Sequence, residues 1–293
     1  MKIAEGVEKC MGIKKPTGVQ VESCRVLLGS SKGGTNLFIQ SETGSGKTLA
    51  YLLPILHHLT VDGPTGKLKK IDRQTGGTRC LVLCPTRELA TQTILTANKL
   101  CAGSFNWVVP GCLSGGEKRK SEKARLKKGV TILIGTPGRV LDHLQKTESL
   151  MMSLKGKLEW VVLDEADRLL DMGLGKQVEE ITQHLKANSP GSGRNRDGVT
   201  WRTVLVSATV TGEIRELAEK KIGGVKGKWE WARGEDKKSS PDDSSPSFSS
   251  STPHQLSQSS LTVSAKLRLP ALTAFLASRI KDSQKVRLSE ELP

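Results

Sequence analysis

One feature dominates what this chain can fold into: from about residue 35 to residue 223, short apolar runs alternate with glycine-rich or polar loops and helix-like segments. The runs are NLFIQ, RCLVLC, NWVVPG, VTILIG, LEWVVLD and WRTVLVS. A strand with one wet face alternates apolar and polar residues, whereas these runs are almost continuously apolar. They read as strands of a parallel sheet covered by helices on both faces. Helical patterning falls on 48–59, 88–101, 117–127 and 140–145. The expectation is an open, doubly wound α/β domain with a mainly parallel sheet, whose ligands bind beyond the carboxyl ends of the strands.

Where the alternation lapses, boundaries follow. Residues 61–78 (VDGPTGKLKKIDRQTGGT) and 188–200 read as exposed loops, since glycine, proline and charge replace apolar periodicity. Past Trp231 the serine-rich KKSSPDDSSPSFSSSTPHQLSQSS has too little apolar surface to offset chain entropy and reads as disordered. The expected organisation is a main α/β domain over 1–230, a linker over 231–260, and over 261–293 a strand-like then helix-like remnant too short for its own core. Lysine and arginine number 45 against 30 acidic residues, a net charge of +15. That balance suits a polyanionic partner through counterion release, or is simply a solvated basic surface. Cys10, Cys24, Cys80, Cys84, Cys101 and Cys112 lack CxxC spacing, which argues against a zinc ribbon or a secreted disulfide framework and for reduced, intracellular thiols. Cys80 and Cys84 would share one face of a strand as small core residues. The opening MKIAEGVEKC has no signal-peptide core, and no run reaches membrane-spanning length, so a soluble chain without membrane contact is expected.

Two segments carry chemistry. FIQSETGSGKT sets Thr43, Gly44, Ser45, Gly46, Lys47 and Thr48 between an expected strand and an expected helix, the context of a phosphate loop. Its glycines let backbone N–H groups close around phosphate oxygens, Lys47 neutralises β- and γ-phosphates, and the Thr48 hydroxyl suits magnesium. Ser41 stands where the general pattern has glycine, and a plain glycine-rich turn is the competing reading. In VVLDEAD an apolar strand ends at Asp164 and Glu165, where one carboxylate can hold hydrated magnesium and its neighbour can orient or deprotonate a water. Alone, Asp164 would equally serve as a helix cap. Together the segments describe a magnesium–nucleotide site with Lys47, Asp164 and Glu165 as its catalytic candidates.

With these in place the intervening sequence resembles the DEAD-box RNA helicases. GIKKPTGVQ is similar to the family's adenine-reading Q motif, which gives Gln20 the adenine edge and Thr17 a supporting role. PTREL (Pro85, Thr86, Arg87), the pair Gly115 and Gly116, and TPGR (Thr136, Pro137, Gly138, Arg139) resemble the motifs along the RNA backbone path. SAT (Ser207, Ala208, Thr209), with Asp167 of DEAD, resembles the element coupling hydrolysis to strand separation. The resemblance implies a RecA-like fold, ATP and Mg2+ as cofactors, RNA as partner and sequence-nonspecific backbone contacts. Glycine N–H groups, threonine hydroxyls and arginine guanidiniums can indeed bond phosphate oxygens. Singly, PTREL is an ordinary helix start, TPGR a turn and SAT a strand end. The basic EKRKSEKARLKK (117–128) reads first as a solvated helix face, with direct RNA contact as the second reading. SGGEKRKSEKARLKKG and FNWVVPG resemble the nucleolar branch that acts on large ribosomal subunit precursors, which implies pre-ribosomal particles and a nuclear, nucleolar location.

The chain also departs from that family. Its members close two RecA-like domains on ATP, the second supplying arginines to the transferring phosphate, and no second motif set is recognisable here. WARGEDK resembles a second-domain motif only superficially and reads as coincidence. LTVSAKLRLPALTAFLASRI resembles the opening strand and helix of a second domain, and the region near Ile3 lacks the family's aromatic well. The expectation is ATP binding with weak hydrolysis at best. A non-catalytic nucleotide- and RNA-binding regulator is the alternative, and a P-loop kinase or transport ATPase would leave Gln20, PTREL, TPGR and SAT unexplained.

Overall fold

The computed structural model describes residues 2–29, 35–42, 44–62, 65–102, 105–188, 201–222, 229–233 and 262–290. Thr43, nearly all of the expected 188–200 loop and the serine-rich stretch lie outside these residues. Two helices, α1 (Lys2–Met11) and α2 (Gly18–Gly29), precede β1 (Asn36–Gln40) and α3 (Lys47–Thr60). The chain continues through β2 (Cys80–Leu83), α4 (Arg87–Cys101), β3 (Pro110–Leu113), α5 (Arg119–Lys127), β4 (Ile132–Gly135), α6 (Pro137–Lys146) and α7 (Glu148–Leu154). Then come β5 (Trp160–Leu163), α8 (Ala166–Asp171), α9 (Gly175–Ala187), β6 (Arg202–Ser207), α10 (Gly212–Glu216) with a π-helical turn (Leu217–Ile222), and β7 (Trp229–Arg233). All seven strands pair in parallel, in the order β3-β4-β2-β5-β6-β1-β7.

Burial explains the apolar runs. Leu37, Ile39, Cys80, Val82, Ile132, Ile134, Trp160, Val162, Val204 and Val206 face one core, which α1–α4 cover through residues such as Val7, Val19, Tyr51, Ile55, Ala90 and Ala97. The alternate positions Phe38, Leu81, Leu83, Leu133, Val161, Leu163 and Leu205 face a second core under α5–α10, with Leu126, Val140, Leu150, Leu169, Ile181 and Ile214. Every second side chain therefore needs an apolar partner on each face. Cys80 and Cys84 do share a face. Burial pushes both thiols up and raises Cys101 to about 12, so these thiols stay protonated and inert.

Three sequence expectations are corrected. NWVVPG forms a strand only from Pro110 onward, because Phe105 and Trp107 fold back edge to face, centroids 5.8 Å apart, and Val108 N–H closes a turn on Phe105 O at 2.9 Å. Proline is tolerated as the first residue of this edge strand. WARGEDK, whose likeness to a second-domain motif reads as coincidence, begins inside β7, so the sheet runs to Arg233, past the expected boundary at 230. Phe38 stacks on Trp231 at 4.6 Å, and the guanidiniums of Arg215 and Arg233 lie 5.4 and 5.0 Å from the same ring. In the second compact unit, residues 262–264 join no strand among the described residues; a 3₁₀ turn (Ala265–Leu267) leads into α11 (Arg268–Glu290). Leucines at 269, 272 and 276 recur at helical spacing, which outweighs the β-propensity of the residues before them.

Candidate functional site

The parallel sheet sends all its loops after strand ends to one side and divides them into two groups. The loops after β1, β5 and β6 carry the phosphate loop, DEAD and SAT, whereas those after β3, β4 and β2 carry Gly115–Gly116, TPGR and PTREL. Two neighbouring sites therefore share one edge of the sheet, as the topology of doubly wound folds dictates.

In the first group, Gly44 and Gly46 take φ of +82° and +85°, the left-handed region that lets the loop wrap back on itself. Gly46 is also crowded: a Cβ there would lie 2.3 Å from Gln20 Nε2. Gln20, buried on α2, donates from Nε2 to Gly46 O at 3.2 Å and accepts Thr17 N–H at 3.1 Å, while Thr17 Oγ1 donates to Ser45 O at 3.0 Å. The Q-motif pair is thus bonded directly to the phosphate loop. No side chain caps α3, and the Thr48 hydroxyl has no partner among the described residues. Uncapped N–H groups at a helix start are an anion site. Lys47 Nζ donates to Ser41 O at 2.6 Å, a contact a phosphate oxygen can replace. Burial lowers the lysine's proton affinity, and Asp164, Asp167, Glu165 and Glu42 oppose that shift.

Asp164 directly follows β5 and is 2% exposed. Its Oδ2 accepts the Tyr51 hydroxyl at 2.8 Å and its Oδ1 accepts Glu165 N–H at 3.1 Å. Burial raises its carboxyl to about 6, against the lowering effect of the Tyr51 bond. Glu165 takes φ 49° and ψ 58°, the only left-handed non-glycine residue among those described, a conformation that costs about 1 kcal/mol or more. Its carboxylate meets Arg168 at 2.8 Å. Asp167 Oδ2 accepts Ala208 N–H, Thr209 N–H and Thr209 Oγ1, each at 3.3 Å, and so ties DEAD to SAT; Ser207 Oγ donates to Thr209 O at 2.5 Å. Thr48 and Asp164 offer hard oxygen donors beside a phosphate cradle, a set that fits magnesium.

Tyr51 was missed by sequence reasoning. It is the single tyrosine of the chain, four residues past Lys47 on α3, and apolar periodicity absorbs it into the core. Its hydroxyl orients a carboxylate that has metal-ligand chemistry. Tyr51→Phe is therefore expected to raise the magnesium concentration for half-maximal nucleotide binding about tenfold and to leave metal-free binding unchanged. Fluorescent-nucleotide titration at varied magnesium measures both.

In the second group, Arg87 is exposed and its guanidinium packs on Gly115, whose hypothetical Cβ would lie 3.2 Å from Nη2. Gly115 and Gly116 have φ of +79° and +85°. Thr86 caps α4 by accepting Leu89 N–H at 3.2 Å, as an ordinary helix start would. Thr136 heads α6 without a side-chain cap bond, with Gly138 exposed beside it. Pro85 and Pro137 are buried and lack an N–H, so their part is to shape the loops. Arg139 does not point freely outward: Nε and Nη2 bond Glu122 Oε2 at 2.8 and 2.6 Å, and Nη2 reaches Glu117 O at 3.3 Å. Glu122, 1% exposed, also meets His143 Nε2 at 2.9 Å, and His143 Nδ1 meets Thr147 Oγ1 at 2.9 Å. This buried clamp was hidden in the sequence by the surrounding run of charge.

A phosphate loop, an acidic strand end and an ordered parallel sheet define a P-loop nucleotide-binding domain of the RecA-like kind. The family model described as DEAD/DEAH box helicase matches residues 17–217, and the chain belongs to that family. It is 41% identical over 275 residues to "ATP-dependent RNA helicase dbp7" of Aspergillus oryzae, covering 90% of this chain and 34% of the relative. It is 42% identical over 212 residues to "DEAD-box ATP-dependent RNA helicase 17" of Oryza sativa subsp. japonica, covering 71% and 34%. The chain thus spans about a third of the length of these relatives. Among solved structures, Mss116p bound to ssRNA and AMP-PNP superposes with a TM-score of 0.64 at 26% identity, covering 80% of this chain and 42% of that one.

Proposed function

We propose that this chain is the ATP-binding core of an ATP-dependent RNA helicase. Gln20 and Thr17 hold the adenine side, the loop around Gly44, Ser45, Gly46 and Lys47 holds the phosphates, and Thr48 and Asp164 hold Mg2+, largely through water. Magnesium, when bound, neutralises charge on the phosphate oxygens. Glu165 orients the attacking water, and Asp167 passes the state of the nucleotide to SAT. Arg87, Thr86, Gly115, Gly116, Thr136, Gly138 and Arg139 hold the backbone of RNA without reading its bases. The observation that carries this reading is topological: phosphate-binding chemistry for a nucleotide and for a strand occupies adjacent strand ends of one sheet, and Asp167 joins DEAD to SAT. The relatives' names and the RNA- and AMP-PNP-bound neighbour support it. A role on pre-ribosomal particles in the nucleolus extends the reading; it rests on the segments SGGEKRKSEKARLKKG and FNWVVPG and accords with the net charge of +15.

Fluorescence anisotropy with labelled single-stranded RNA tests the RNA half of this reading. Binding is expected to weaken steeply with salt and to be alike for oligonucleotides of different sequence. Strong dependence on base sequence, or no binding at low salt, would overturn it.

A further inference from the structure

Residues 119–127 of the basic segment form α5, which follows the edge strand β3 and starts three residues after Gly116. Its inner face is anchored: Glu122 and Leu126 are buried, Arg119 pairs with Asp142 at 2.8 Å, and Arg125 pairs with Glu117 and donates to Cys112 O at 2.8 Å. Arg139 bonds both Glu122 and the Glu117 carbonyl, which pins the first turn of α5 beside the start of α6. Both arginines of α5 are thus consumed in holding the helix. Its lysines are not. Lys120, Lys123 and Lys127, with Lys118 just before the helix, are exposed, and their ammonium groups make no ion pair or hydrogen bond among the described residues. Lys120, Lys123 and Lys127 lie at i, i+3 and i+7, on one stripe about 110° round the helix from Glu122 and Leu126, and span about 10 Å of helix axis.

Such a row costs stability through like-charge repulsion, and a basic face of this kind is complementary to a phosphodiester backbone. The row also begins where the strand-binding loops end. Lys120 is four residues beyond Gly116, so RNA held at the Gly115–Gly116 loop would have this row within about 15 Å. We propose that the outer face of α5 is a second RNA-binding surface, which takes the phosphates of RNA flanking the segment held by the motif loops. This rests on the RNA reading above and adds to it a surface that the motifs do not include.

The test compares wild type with Lys120→Ala/Lys123→Ala/Lys127→Ala by anisotropy on two RNAs, one of about six nucleotides and the same sequence with flanks to about 20 nucleotides. All three positions are exposed, so melting temperature is expected to hold. Affinity for the long RNA is expected to fall about tenfold, and its salt slope to drop by about 2, corresponding to roughly 0.7 for each lost phosphate contact. Affinity for the short RNA should change by less than about twofold, and the triple Lys→Arg variant should bind both as wild type does. Unchanged long-RNA binding, or equal loss on both RNAs, would overturn the proposal while leaving the motif path intact. Failure of wild type to bind either RNA would overturn the function proposed above and this surface with it.

Discussion

Glu122→Ala is expected to destabilise the domain by about 3 kcal/mol and to lower its melting temperature by roughly 6–12 °C. The carboxylate is 1% exposed and accepts from Arg139 Nε, Arg139 Nη2 and His143 Nε2 at 2.6–2.9 Å. Alanine leaves those donors facing a gap in a packed interior. Glutamine keeps two hydrogen-bonding atoms in the same place, so Glu122→Gln should fall between alanine and wild type. Acidity supplies a second reading of the same cluster. Burial alone would raise the Glu122 carboxyl, but the bonds from Arg139 and His143 outweigh it and hold the group below the usual range. A depressed folded value means that the stabilisation is complete above the ordinary glutamate range and is lost as pH falls through the folded value. Wild type should therefore lose stability in acid more steeply than Glu122→Gln. Thermal melts across acidic pH measure this, and parallel curves would refute it.

Lys47→Ala should weaken magnesium–ATP binding by at least about 100-fold, ~3 kcal/mol, with little change in melting temperature. Among the described residues the ammonium bonds the Ser41 carbonyl, a contact water can replace once the side chain is gone. With nucleotide bound, the same ammonium faces phosphate oxygens in a partly desolvated loop, where charge-assisted bonds are strong. The effect thus falls on the complex and spares the fold. Lys47→Arg should not rescue fully, because a planar guanidinium does not reproduce the compact point charge of an ammonium.

The framework of the fold was legible because parallel strands are wet on neither face, and continuous runs such as LVL and WVVL admit few other readings. Elements at the rim were less so. β7 reads W-E-W because its outer residues meet solvent, and β3 begins at a proline after an aromatic turn, so composition misplaced its start. The loops of the candidate site stood out for a different reason: each is a short local motif whose glycines, hydroxyls and charges have fixed spacing. What sequence could not show were partners brought together from afar. Tyr51 and Asp164 are 113 positions apart, and nothing local marks the tyrosine as other than core. Glu122 sits among lysines that suggest a solvated face, yet it is the most buried charge of α5. Nor does TPGR show that Arg139, expected along the RNA path, is held by that carboxylate through Nε and Nη2.

Calorimetric titration of the wild-type 293-residue chain with ATP shows whether it builds a magnesium–adenine-nucleotide site by itself. One site per chain is expected, with binding that weakens sharply when magnesium is chelated and little competition from GTP, because the proposed function gives Gln20 the adenine edge. Binding of ATP that is indifferent to both magnesium and base, or no binding at all, would contradict it.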